Sequence, residues 1–164
     1  MGLWLRWGGA LAVIVGSFFV CREYEKYLAR RLGELIGLRD LISHARGMIE
    51  KYLSYGAELW RGFTNEALES CGLMDALREG RGLSEAFASC GDRMALTSEE
   101  RAELACDFAR LGKGYKSGEV SLLDTLENKL CEMADGESDQ AEKNIKVFRA
   151  LLLGGALVVV ITVV

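Results

Sequence analysis

The sequence predicts an all-α protein, a membrane-anchored helical bundle. Two long antiparallel helices and a head of short helices are expected, flanked by N- and C-terminal transmembrane helices. Three observations lead there. The 164 residues include no proline, and outside the termini no stretch alternates apolar and polar residues as a half-buried strand would. Each terminus is a long apolar run. Between them, apolar residues recur at heptad spacing over the two longest segments.

The C-terminal run is the clearest element. From Ala150 to Val164 it has no charge and one hydroxyl, on Thr162. Fifteen helical residues span roughly 22 Å, short of the ~30 Å hydrocarbon core. Starting at Val147 gives a longer segment, 147–164, in which the stem of Arg149 lies in the apolar zone and its charge snorkels outward. The N-terminal segment, 1–21, places Trp4 and Trp7 where indole rings favour the membrane boundary, with Arg6 between them. A signal peptide is the rival reading, but Phe19 and Val20 precede Cys21 where a cleavage site needs small residues.

Basic residues set the expected orientation. Arg22, Lys26, Arg30 and Arg31 follow the first anchor, and Lys143, Lys146 and Arg149 adjoin the second. The positive-inside rule then puts residues 22–146 in the cytoplasm as one domain. Trp4, Arg6, Trp7, Lys146 and Arg149 are the expected membrane-interface residues, and lipids are expected partners. The net charge of −4 offers no basic surface for nucleic acid.

Residues 23–55 carry the longest periodic pattern. Leu28, Leu35, Ile42 and Ile49 are seven apart, with Leu38, Ala45 and Tyr52 between them. Gly33, Gly37 and Gly47 weaken that helix, each by up to about 1 kcal/mol. The seam serves packing within the chain, with self-association as the alternative. Its expected partner carries Leu123, Leu126, Leu130 and Met133, resuming at Ala141, Ile145 and Phe148. The polar run 135–139 predicts a break in that second helix.

Short helices fill 56–120 as the head of a stalk. Gly56 is expected to cap the first long helix, and a helix is expected over 59–71. Gly72 separates it from a piece ending at Arg78, and 79–82 reads as a loop before a helix start at Leu83. Thr97 and Glu100 form a capping box, and Leu104, Phe108 and Leu111 give the helix after it a buried face. The last helix is expected from about Ser121.

Catalytic and metal-ligating sets are not found. His44 is the single histidine and the five cysteines show no paired spacing. Cys106 reads as a small buried apolar residue. The carboxylates alternate with basic residues as on solvated faces. The stretch around Gly112, Lys113 and Gly114 lacks the phosphate-loop frame. No catalytic residue, metal site or cofactor is expected.

In this order the chain resembles the stage III sporulation protein AB family. Lys146-Val147-Phe148-Arg149-Ala150-Leu151, leading to Gly154-Gly155, is similar to that family's K-x-Y-R-x-L run before a glycine-containing tail. Ile49-Glu50 through Tyr55-Gly56-Ala57 resembles its L-E-x-x-I-x-Y-G segment. Gly82 through Glu85-Ala86-Phe87 resembles its G-x-x-x-E-A-[WF] helix start, and Leu96-Thr97 and Phe108 to Leu111-Gly112 resemble its L-T and F-x-x-L-G landmarks. The chain departs from the family where a proline turn would follow Tyr55-Gly56, and where an aspartate and a glutamine would follow Leu111-Gly112. The first departure bears on the turn after the first helix. At the second, Tyr115 and then Glu119 or Val120 stand in those places.

The resemblance implies a non-enzymatic platform subunit, similar to the F-type domains of type II secretion. It would belong to the complex joining mother cell and forespore, on the mother-cell side, and dock a secretion-type hexameric ATPase, the AA protein of the set. The expected docking residues are Arg81, Gly82, Glu85, Ala86 and Phe87, in the part of the head farthest from the bilayer. A pore or channel subunit is the alternative, since Gly8-Gly9 and Gly154-Gly155 permit close helix approach. A membrane-anchored enzyme with a site assembled only in three dimensions is the third.

Overall fold

A computed structural model of the chain describes residues 2–52, 56–113 and 115–163, with side chains at 15–51, 58–113, 115, 117–141, 143–148, 150, 151, 154 and 155. The described elements are all helical. They comprise α1 (Gly2–Tyr52), α2 (Glu66–Cys71), α3 (Leu73–Arg78), α4 (Leu83–Cys90), α5 (Ser98–Phe108) and α6 (Lys116–Val163). Short 3-10 turns occupy Gly56–Trp60 and Gly91–Arg93. Two compact units result, one of Arg30–Gly136 and one of Met1–Ala29 with Glu137–Val164.

The 30–136 unit is built around one core. From α1 it takes Leu35, Leu38, Leu41, Ile42, Ala45 and Ile49, and from α6 Leu123, Leu126, Leu130 and Ala134. The two helices run antiparallel there: Arg46 pairs with Asp124 and Glu127, while Arg39, two turns earlier, lies by Cys131. Leu41 lies outside the heptad pattern and is fully buried all the same, because α1 packs on more than one neighbour. The short helices share this core through Leu68, Leu73, Met74, Leu77, Phe87 and Leu104. They therefore pack along α1 and α6, and the expected separation into stalk and head does not hold within this unit.

Local chemistry explains the short elements. Asn65 accepts a hydrogen bond from Leu68 N–H at 3.2 Å and opens α2, satisfying one of the free N–H groups of a helix start. Hence α2 begins at Glu66, and the helix expected over 59–71 is instead a 3-10 turn, a loop and α2. Gly72 ends it at φ +84°, a left-handed conformation that a side chain disfavours. Both halves of the Thr97–Glu100 capping box form. The expected cap at Gly56 adjoins 53–55, outside the described residues.

Two expectations about α6 are corrected. It starts at Lys116, ahead of Ser121, and it continues as a helix through 135–139. Polarity there ends burial, not backbone bonding: no proline interrupts, and Gly136 costs only about 1 kcal/mol relative to alanine.

In the other unit, Tyr24 and Phe148 stack with ring centroids 5.9 Å apart, and Cys21 and Leu28 are buried. Val15, Phe18, Phe19, Val20, Val147 and Leu151 are exposed. Among the described residues no helix is long and apolar enough to cross a membrane.

Candidate functional site

The sequence-predicted docking residues straddle the start of α4. Leu83, Ala86, Phe87 and Cys90 are all buried, the i, i+3, i+4, i+7 face of an amphipathic helix. Ala86 and Phe87 are thus withdrawn from any partner, which corrects their expected role. Phe87 instead meets Phe108 edge to face, with centroids 4.9 Å apart. Arg81, Gly82 and Glu85 remain exposed, and Arg81 pairs with Glu79 at 2.9 Å. The surface thus reduces to three residues carrying one charge of each sign.

Of the membrane-interface residues, Lys146 is exposed. Trp4, Arg6, Trp7 and Arg149 lie outside the residues whose side chains are described.

Two carboxylates behave differently from the solvated faces expected. Glu34 is fully buried on α1. Its Oε1 accepts from Arg30 Nε at 2.9 Å and its Oε2 from Ala95 N–H at 2.6 Å, while Arg30 also donates to the carbonyl of Arg93. Glu119, also buried, accepts from Gly112 N–H at 3.0 Å. Both satisfy backbone donors of loops, which sequence periodicity does not register. Around them run inter-helix pairs: Arg31 with Glu100 at 2.8 Å, and Lys129 with Asp107 at 2.6 Å and Glu103 at 2.8 Å. Burial lowers the Lys129 pKa, but the hydrogen bonds to Asp107 and Glu103 prevail and hold it above the usual value. The Asp124 hydrogen bond likewise raises Arg46.

Cys71 and Cys90 belong to the apolar core, and His44 packs on Phe63. Cys71 and Cys90 are buried. Cys71 donates to the Leu68 carbonyl at 3.2 Å and Cys90 to that of Phe87 at 3.6 Å; the adjoining Cys71 and burial push the Cys90 thiol up, and the adjoining Cys90 draws Cys71 down. Cys106, expected to be buried, is exposed. It lies two residues from Leu104 and two from Phe108, on the far side of α5 from the face those residues bury. His44 is half-buried with its ring 5.4 Å from Phe63. Among the described residues, no three His, Cys, Asp or Glu side chains are grouped to hold a metal ion. A cleft of about 560 Å³ has Trp60, Phe63 and Leu77 in its wall, with Glu58, Arg61, Thr64 and Arg78 among its polar residues. That wall brings no nucleophile beside a base.

The family model for stage III sporulation protein AB matches residues 6–164. The chain belongs to the stage III sporulation protein AB family. No curated protein and no solved structure gives a match. The stage III sporulation protein AB match spans both apolar ends as well as the folded unit. It marks the chain as a sporulation component, in a family not known for enzymes.

Proposed function

We propose that this protein is a non-enzymatic platform subunit of the sporulation channel complex between mother cell and forespore. Segments 1–21 and 147–164 anchor it in the membrane, and residues 22–146 face the mother-cell cytoplasm. There the helical domain docks a secretion-type hexameric ATPase beside other subunits of the complex.

The observation that carries this reading is the family match over residues 6–164. A second feature supports the anchors. Phe18, Phe19 and Val20 are consecutive and all exposed; at 100° per residue they spread apolar surface around much of the helix, as lipid contact favours and water does not. Together with Val15, Val147 and Leu151, they make the 1–29 and 137–164 unit the place where, among the described residues, nearly all exposed large apolar side chains lie.

The docking surface is assigned to Arg81, Gly82 and Glu85. The test is binding of the purified sporulation ATPase to the full-length protein held in lipid nanodiscs. Binding at micromolar concentration or tighter, weakened by Arg81→Glu with Glu85→Arg, is expected. A well-folded platform that ignores the ATPase would leave the family membership standing and remove the motor-docking role.

A further inference from the structure

Tyr115 is the most exposed large apolar residue in the described structure, at 91 %, and the one such residue outside the 1–29 and 137–164 unit. It stands in the connection from α5 to α6. Between residues 108 and 118 the sequence has three basic residues, Arg110, Lys113 and Lys116, and no acidic one. Arg110 and Lys113 are exposed. The carboxylates that flank this stretch in sequence are held inward: Asp107 pairs with Lys129 at 2.6 Å, and the buried Glu119 accepts the Gly112 N–H at 3.0 Å. That second bond fixes the loop from inside, and Leu111 packs on the core. The result is a locally cationic connection with an exposed aromatic ring at its α6 end, on a chain whose net charge is −4.

We propose that this loop is a docking point for an acidic protein segment. Tyr115 supplies flat apolar contact, and Arg110 and Lys113 supply the opposing charge. Tyrosine and arginine are among the residue types enriched at protein–protein hot spots. The acidic whole argues against an extended polyanion, because its field repels nucleic acid or a strongly anionic bilayer over several ångströms. A short acidic segment meets only the local positive potential. The surface uses different residues from those assigned to the ATPase and does not depend on that assignment.

The probe is a synthetic peptide of glutamates around one phenylalanine, with a glutamine counterpart as control. Each is titrated by fluorescence anisotropy onto the full-length protein in nanodiscs of zwitterionic lipid. The glutamate peptide should bind, the glutamine peptide should not, and salt should weaken the binding. Tyr115→Ala, and separately Arg110→Glu with Lys113→Glu, should each weaken it about tenfold or more. Arg61→Glu, at another exposed arginine, should not. Circular dichroism and melting temperature should be unchanged in all variants, since these side chains are exposed. Failure of the glutamate peptide to bind, equal binding of both peptides, or variants that bind like the parent would overturn the proposal. So would binding of the loop to phosphatidylserine vesicles in place of the peptide, or a Tyr115-dependent self-association.

Discussion

Gly37 on α1 faces Asn65, the residue that caps α2: a Cβ at Gly37 would lie 2.7 Å from Asn65 Oδ1 and 3.0 Å from Leu68 Cγ. This glycine marks a helix crossing, not merely a weak point in a helix. A Cβ at Gly33, one turn earlier, would meet only Ala67 Cβ at 3.6 Å, and one at Gly47 would have no neighbouring side chain or other element within 4 Å. The three glycines look alike in sequence but differ in what alanine would do. Gly37→Ala should destabilise by about 1–2 kcal/mol net, as cap loss and overpacking outweigh the helix-propensity gain. Gly33→Ala and Gly47→Ala should stabilise by about 0.5–1 kcal/mol. Thermal melts of the full chain in detergent measure all three. A shift of the same sign for all of them would mean that α2 does not cross at Gly37.

Glu34 ties α1 to the segment before α5 through the Ala95 N–H. Its partner Arg30 is about half exposed, so water screens much of that charge pair. The backbone hydrogen bond matters more. Glu34→Ala should cost about 1–3 kcal/mol, because it removes the buried carboxylate that accepts the Ala95 N–H. Glu34→Gln keeps one acceptor oxygen and should cost clearly less. Urea denaturation resolves the pair; equal losses would assign the role to charge instead of to the backbone bond.

Docking and folding effects separate cleanly around α4. Phe87→Ala removes a buried ring packed edge to face on Phe108 and should destabilise by about 3–5 kcal/mol. Any loss of ATPase binding in that variant should track loss of helical signal. Charge reversal at Arg81 and Glu85 should leave the melting temperature within a few degrees of the parent, since exposed substitutions rarely exceed about 0.5 kcal/mol. A large drop in melting temperature on reversal would show that these side chains hold the fold.

What was legible in the sequence followed from periodicity and capping. Leu28, Leu35, Leu38, Ile42, Ala45 and Ile49 are buried as their spacing requires, and Thr97 with Glu100 closes the box that its sequence announces. Leu41 is not legible in the sequence, because a two-helix seam predicts one stripe, whereas α1 also receives the short helices. Glu34 and Glu119 are not legible either, because a charge between apolar positions reads as solvent-facing unless the loop N–H it satisfies is known. Ala86 and Phe87 differ: a resemblance to a family landmark says nothing of exposure, whereas their spacing from Leu83 puts them on its buried face. The continuity of α6 through 135–139 is hidden because a loss of apolar pattern there marks exposure and not a break in the helix.

The cysteines offer a direct reading of the proposed topology. Cys71 and Cys90 are buried, and thiols closed off from solvent react slowly whatever their ionisation. Cys106 is exposed, so it is the informative site for labelling the native protein. With residues 22–146 on the cytoplasmic side, a membrane-impermeant maleimide should leave Cys106 unmodified in intact cells. It should modify Cys106 once the membrane is permeabilised, while Cys71 and Cys90 should need denaturant as well. Mass spectrometry of the digested protein separates the three sites. Modification of Cys106 in intact cells would put the domain on the opposite face of the membrane, and early modification of Cys71 or Cys90 would open the core described around α2 and α4.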